Sequence, residues 1–238
     1  MIVQGLWIGE RLSPMERLSI RSFLANGCEF HLYSYTPLHG VPRGARVLDA
    51  AQILPPEKIF RYRDHDSVAG FSNWFRYQVL LERGGAWADL DMVCLRAPPE
   101  QPDILVSEDH FDGTAHRTCS FMAAPPGSEL VRRAAAECAA ADPLRLQWGD
   151  TGPWLIDRLS RELGQTPLPP SAFCPLPYMR WRDAISADPE VQLQVRALLD
   201  GAFAVHLWHD HWRRSAVNPL TPQHPGSLWE QLRARYAV

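Results

Sequence analysis

A long helical run, cut off by two glycines and followed at once by a short apolar strand, constrains this chain more than any other feature. The run spans residues 66–83, Gly84-Gly85 stops it, and Ala86-Trp87-Ala88 leads into Asp89-Leu90-Asp91. The same alternation recurs along the chain. Ile2 to Ile8 reads as a first buried strand. Ser13-Pro14-Met15-Glu16 places a cap, a helix-starting proline and a reciprocal carboxylate in order, which predicts a helix to about Asn26 with Gly27 as its stop. Strands are expected at Glu29 to Tyr35, Arg46 to Leu48, Asp103 to Ser107, Ser120 to Ala124 and Phe203 to Trp208. Helices are expected at Ser128 to Ala141, Thr151 to Leu163, Val191 to Leu199 and Ser227 to Tyr236, with Pro167 to Pro177 as an irregular connector. Strands alternating with helices argue for an α/β fold with a mostly parallel sheet and helices on both faces. In such sheets ligands collect outside the carboxyl ends of the strands.

Composition narrows the function classes. With 238 residues the chain can bury one sizeable core. A net charge of −3 gives no sign of a nucleic-acid partner. The five cysteines are odd in number and form no Cys-x-x-Cys pair, so buried free thiols are expected rather than a disulfide framework or zinc ribbon. The opening residues lack a basic region and a long apolar run, and no segment approaches the ~20 apolar residues of a transmembrane span. The expectation is a cytoplasmic protein, with attachment to the inner face of the membrane left open.

The acids carry the chemistry. On an extended segment, Asp89 and Asp91 point the same way. At a strand tip, such a pair suits a divalent cation held against phosphates. Asn73 and Arg76, three apart on the preceding helix, share a face. The turn at Gly84-Gly85 would bring Arg76 and the acids onto one ligand.

Ser72-Asn73-x-x-Arg76-Tyr77, followed by Gly84-Gly85-x-Trp87-x-Asp89-x-Asp91, resembles the signature of the DXD-containing sugar-binding-region glycosyltransferases. This group includes capsular-polysaccharide transferases, mannosyltransferases and α-1,4-glycosyltransferases. The match runs from Ser72 to Asp91 with family spacing throughout. Asn73 stands where the family has Asp, and Trp87 where it usually has Tyr. Leu6-Trp7-Ile8-Gly9 resembles the family's opening strand, whose Trp stacks on the nucleotide base, and Asp150-Thr151-Gly152-Pro153 resembles a segment near the acceptor. His206-Leu207-Trp208-His209-Asp210-His211-Trp212 resembles a late His-x-Trp element.

The resemblance implies a GT-A-like, Rossmann-type fold and a hexosyltransferase of the polysaccharide-biosynthesis kind. It implies a nucleotide-sugar donor, with a UDP-sugar favoured, and Mn²⁺ or Mg²⁺ as cofactor. The acceptor would be the hydroxyl of a glycan, a lipid-linked glycan or another molecule, and transfer would retain anomeric configuration. It assigns the donor to Trp7, Ile8, Gly9, Asn73, Arg76, Trp87 and Asp89, and the metal to Asp89, Asp91, His206 and His211. Asp89, Asp91, Arg76 and Trp212 become the catalytic group, with Trp212 reaching the leaving phosphate. One domain is expected over 1–238, its nucleotide-sugar part over about 1–125 and its acceptor-side part over about 126–238.

Rival readings stay open on the residues alone. His206, His209 and His211 could form a zinc site. Asp-x-Asp also occurs in haloacid-dehalogenase phosphatases, although there it follows an early strand and works with a downstream lysine, whereas Lys58, the only lysine here, lies upstream. A transferase fold that binds nucleotide without turnover is a third reading. An inverting enzyme would need a general base, for which Asp109, Asp150 and Asp210 are candidates.

Overall fold

A computed structural model describes residues 1–63, 66–109 and 113–238, apart from the Asp109 side chain. Its elements are β1 (Ile2–Trp7), α1 (Pro14–Ala25), β2 (Glu29–Ser34), β3 (Arg46–Asp49), α2 (Ala69–Arg83), β4 (Gly85–Ala88), β5 (Met92–Cys94), β6 (Ile104–Asp109) and β7 (Ala115–Ala124). The second half adds α3 (Glu129–Ala140), α4 (Pro153–Glu162), α5 (Pro170–Phe173), α6 (Pro189–Leu199), β8 (Ala204–His206), α7 (His209–Arg214) and α8 (Leu228–Tyr236). The main sheet has the order β3-β2-β1-β4-β7-β6. Its first four strands run parallel, and β7 and β6 are antiparallel to their neighbours.

Helices cover both faces, as the alternating pattern predicts. On one face, Phe71, Phe75 and Val79 of α2, with Leu130 of α3 and Leu155 of α4, pack against Leu6, Tyr33, Trp87 and Met122. On the other, Ile20 and Phe23 of α1 and Phe173 of α5 meet Val3, Phe30, Ala86 and Phe121. A third apolar cluster joins Met15 and Leu18 of α1 to Val93, Val205, Trp181, Trp212 and Trp229. Among the described residues, no helix is long and apolar enough to cross a membrane.

Local sequence explains the elements that place the acids. Ser13 and Glu16 form the expected reciprocal cap at the start of α1. Gly84 ends α2 at φ +66°, and a Cβ there would lie 2.5 Å from Pro126 Cδ, so only glycine fits this turn. β4 then pairs with β1, Gln4 lying opposite Trp87.

Four expectations change. The acids are not on an extended segment: Met92 N–H bonds Asp89 O at 2.9 Å, closing a four-residue turn over Asp89 to Met92. The strand after that turn, β5, was not foreseen, because three residues carry too little pattern to register. The late strand is only Ala204–His206, since Trp208 adopts the left-handed conformation and ends it. The irregular connector includes the short α5, and a 3-10 stretch follows at Tyr178–Ile185.

Candidate active site

The site lies at the carboxyl ends of the parallel strands. β4 ends at Ala88, beside β1, and the turn at Asp89 continues from it. Asp89 N–H is anchored to Ser120 O of β7 at 2.8 Å. Leu90 points inward, and a Cβ on Gly5 of β1 would meet it at 2.9 Å. With the turn pinned on both sides, the two carboxylates face outward, 28% exposed for Asp89 and 17% for Asp91.

Each carboxylate is held by a different part of the chain. Asp89 Oδ1 accepts from Arg76 Nη2 at 2.6 Å and from Trp87 Nε1 at 2.9 Å. Arg76 is 3% exposed, also donates to Cys119 O, and lies 5.2 Å from the centre of the Trp87 ring. Asp91 is held by the returning strand: its Oδ1 lies 3.1 Å from His206 Nε2, and its Oδ2 accepts from His209 N–H at 2.8 Å. That grip depends on β8 pairing antiparallel with β5, Met92 opposite His206. The left-handed turn at Trp208 (φ 57°) then swings the next N–H back toward the acid. A non-glycine residue in this region costs about 1–3 kcal/mol. Packing of the Trp208 ring 3.8 Å from the His206 ring centre and a bond from its Nε1 to Leu176 O offset that strain.

The electrostatics follow from burial and pairing. Burial pushes the Asp89 carboxyl above the usual range, with Asp91 adding to the rise, while Arg76 opposes it. Burial pushes Asp91 the same way, but His206 and the His209 N–H outweigh it and hold that carboxyl well below the usual range. Burial disfavours charge on His206, yet Asp91 dominates and raises the imidazole well above its ordinary value. The shift thus favours the charged form of His206 beside the acids. Asp89, Asp91 and His206 each offer a ligand atom within 4.8 Å of the others.

Not every expected residue joins this cluster. Trp7, half-buried at the end of β1, donates its indole N–H to Arg11 O at 3.1 Å. Ile8 is partly buried against the core. Gly9, at φ +155°, leaves room that a Cβ would take from the Trp7 ring, 3.1 Å from its Nε1. Asn73 is buried: its Nδ2 bonds Thr151 Oγ1 at 3.3 Å, so it fastens α2 to the start of α4. Trp87 is 1% exposed and supports Asp89 from beneath rather than facing a ligand. Trp212 is wholly buried between Trp181 and Trp229, because α7 turns its apolar side into the third core cluster, and so presents no surface to a phosphate. His211 stacks on Tyr178 and Trp181 instead of joining the acids.

The three-histidine zinc arrangement does not form among the described residues. His209 Nδ1 is turned to Glu16, at 3.4 Å. Of the candidate bases, Asp150 caps a local turn through Gln147 N–H and Asp210 pairs with Arg213 and Arg214. The Asp109 side chain and residues 110–112 lie outside the described residues. Sequence reasoning missed the His209 N–H and Trp208; a backbone donor carries no signature in residue type. A groove of ≈ 720 Å³ opens at the opposite edge of the sheet, around Met1, Gly84 and Gly85, and includes none of these acids.

Comparison with known proteins gives three findings. No family model matches the chain. Over 103 residues the sequence is 29% identical to the lactosylceramide 4-alpha-galactosyltransferases of Mus musculus and Rattus norvegicus, covering 37% of this chain and 27% of each relative, so the match spans about a quarter of their length. Among solved structures, the PaToxG glycosyltransferase aligns over 99% of this chain and 84% of its own at a TM-score of 0.48 with 12% identity. A transferase mutant aligns over 70% and 86% at a TM-score of 0.42 with 9% identity.

Proposed function

We propose that this chain is a metal-dependent glycosyltransferase of GT-A-like fold, which moves a hexose from a nucleotide-sugar, with UDP as the favoured nucleotide, to a hydroxyl acceptor with retention. The observation that carries this reading is the convergence of Asp89, Asp91 and His206, backed by Arg76, at the carboxyl edge of the parallel strands. The limited identity to galactosyltransferases supports the same class of substrate.

The donor set fits a hard divalent ion. Two partly exposed carboxylates and one imidazole suit Mn²⁺ or Mg²⁺. Asp89, Asp91 and His206 would hold the ion, which supplies Lewis-acid stabilisation of a departing diphosphate.

The chain's own residues prepare the rest. Arg76 fixes Asp89 through one oxygen and leaves the other for ligand. The buried guanidinium adds positive potential that a diphosphate would feel at little reorganisation cost. The His209 N–H and His206 orient Asp91. Trp7, half-buried at the tip of β1, would stack on the base, a contact worth ~1–3 kcal/mol per base in single-strand analogies. The first part of the chain, about 1–125, would carry the donor, and His206 from the second part completes its metal set.

The test is a thermal-shift and hydrolysis screen of nucleotide-sugars with and without Mn²⁺. A matching donor at 100 times its Kd should stabilise the fold by about 2.7 kcal/mol, and only with the metal. Asp91→Ala should abolish both binding and turnover. Wild-type-like turnover of that variant in EDTA would refute the assignment. Metal-dependent binding without turnover of any donor would favour a nucleotide-sugar-binding protein instead.

A further inference from the structure

His206 faces two ways. Toward the surface its Nε2 meets Asp91. On its inner side lie Glu108 of β6 and Cys174, just after α5. One ligand atom from each of Glu108, Cys174 and His206 lies within 4.8 Å of the others, and all three residues are buried, at 7%, 0% and 7% exposure. His206 Nδ1 is shielded from solvent and makes no hydrogen bond of ordinary geometry. Ser120 Oγ, 3.7 Å from Cys174 Sγ, lines the same space.

We propose that Glu108, Cys174 and His206 form a second cation site, selective for thiophilic divalent metals of the zinc kind, distinct from the acid pair but sharing His206 with it. Ligand chemistry separates the two sides. The outer set is oxygen-rich and suits hard ions; the inner one brings a sulfur, a nitrogen and a carboxylate, a set that zinc accepts. Bond lengths of about 2.3 Å to sulfur and 2.0 Å to nitrogen place such ligand atoms within about 4 Å of one another, at most a small contraction from atoms that now all lie within 4.8 Å.

Charge favours the same division. Two anionic ligands and a divalent ion sum to zero inside, which suits a buried place where a net charge is expensive. Outside, two aspartates, Arg76 and a divalent ion sum to one positive charge, which suits a phosphate ligand. On zinc binding the Cys174 S–H bond breaks heterolytically, as does one His206 N–H bond where the ring starts protonated; the protons leave to solvent, and sulfur and nitrogen use the retained pairs to bind the metal. No electron changes hands.

The imidazole links the two sides. A neutral ring has one nitrogen lone pair and one N–H. If Nδ1 takes the inner ion, Nε2 carries the proton and can only donate to Asp91. If Nε2 takes it, that atom is occupied outright. Either way zinc inside withdraws a ligand from the outer set. This consequence, unlike the inner site itself, rests on the proposed metal-dependent function.

The experiment is a Cd²⁺ titration of the metal-free full chain, read by thiolate-to-metal charge-transfer absorption, with Mn²⁺ binding followed separately by electron paramagnetic resonance. The band should saturate at one equivalent, persist in Asp91→Asn and vanish in Cys174→Ser. Glu108→Gln, a second variant should the serine disturb folding, should weaken Cd²⁺ binding by at least about tenfold. One equivalent of Zn²⁺ should weaken Mn²⁺ binding in the wild type and not in Cys174→Ser. A missing band, a band that survives in Cys174→Ser, or Glu108→Gln binding Cd²⁺ as the wild type does would overturn the site. A band with the expected variant pattern but no Mn²⁺ binding would uphold the inner site while counting against the functional reading above.

Discussion

The two arms that grip the acids are built in opposite ways. The first, from Asn73 to Asp91, is continuous in sequence: α2, a glycine turn and β4 bring Arg76 and Trp87 onto Asp89 within twenty residues. The second, from His206 to Trp212, arrives from more than a hundred residues away and is registered by the short β5–β8 pairing. Local helix and turn geometry determines the first arm, and tertiary packing determines the second. The first therefore holds its carboxylate with two side-chain donors, whereas the second uses one side chain and one backbone N–H. Its remaining aromatic residues go into the core.

Substitutions can break or sharpen that contrast. The largest effect is expected at Arg76. Replacing it by alanine leaves Asp89 without its counter-charge and opens a cavity beside Trp87. Thermal denaturation should report a loss of about 2–4 kcal/mol, less than a fully buried pair would give because Asp89 is partly exposed. Donor turnover should fall with it, and a variant of unchanged melting temperature would contradict the buried pairing.

Replacing His206 by alanine should act on the other carboxylate. Mn²⁺ affinity should drop about 10–100-fold, with Asp89 still held by Arg76. Equal Mn²⁺ affinity in a folded variant would remove His206 from the metal set. Trp212→Phe sharpens the division within the second arm. It should lower stability by about 1–3 kcal/mol through lost packing and leave Mn²⁺ affinity within about twofold. A selective collapse of donor binding, with stability intact, would return Trp212 to the ligand.

The smallest effect lies outside both arms. Asp157 of α4 accepts from the Arg117 N–H of β7 and pairs with Arg161. Burial works against its ionisation, but these donors win and hold its carboxyl below the usual range. A depressed carboxyl stabilises the fold above its unfolded pKa and loses that contribution as pH falls through the folded one. Asp157→Asn should thus melt slightly below the wild type at neutral pH, by about 0.5–1 kcal/mol, and the gap should close as pH drops below about 4. A gap that stays constant to low pH would show that charge is not its source.

The same contrast explains what could be read in advance. The periodic helices and the alternation of α1, β2, α2 and β4 were legible because each has its own hydrophobic period and stop signal. The approach of Arg76 to the acids was legible because they lie in one αβ unit, whereas its direct ion pair with Asp89 was not. The turn over Asp89 to Met92 was not, since a two-residue alternation looks the same in a strand and in a turn. The family resemblance placed Trp212 and His211 at the ligand, but a helix of six residues can bury only one side, and the core claimed the tryptophan. Glu108 and Cys174 were missed for another reason: they lie 66 residues apart and meet only through the sheet.

The central claim is that Asp89, Asp91 and His206 hold a cation against a nucleotide-sugar's diphosphate. Calorimetric titration of UDP into the wild type and Asp91→Asn, each with Mn²⁺ and with EDTA, tests it most directly. The account predicts binding to the wild type with Mn²⁺ that is weakened at least about 100-fold by EDTA and equally by the substitution. Binding of equal strength in all four titrations would contradict it.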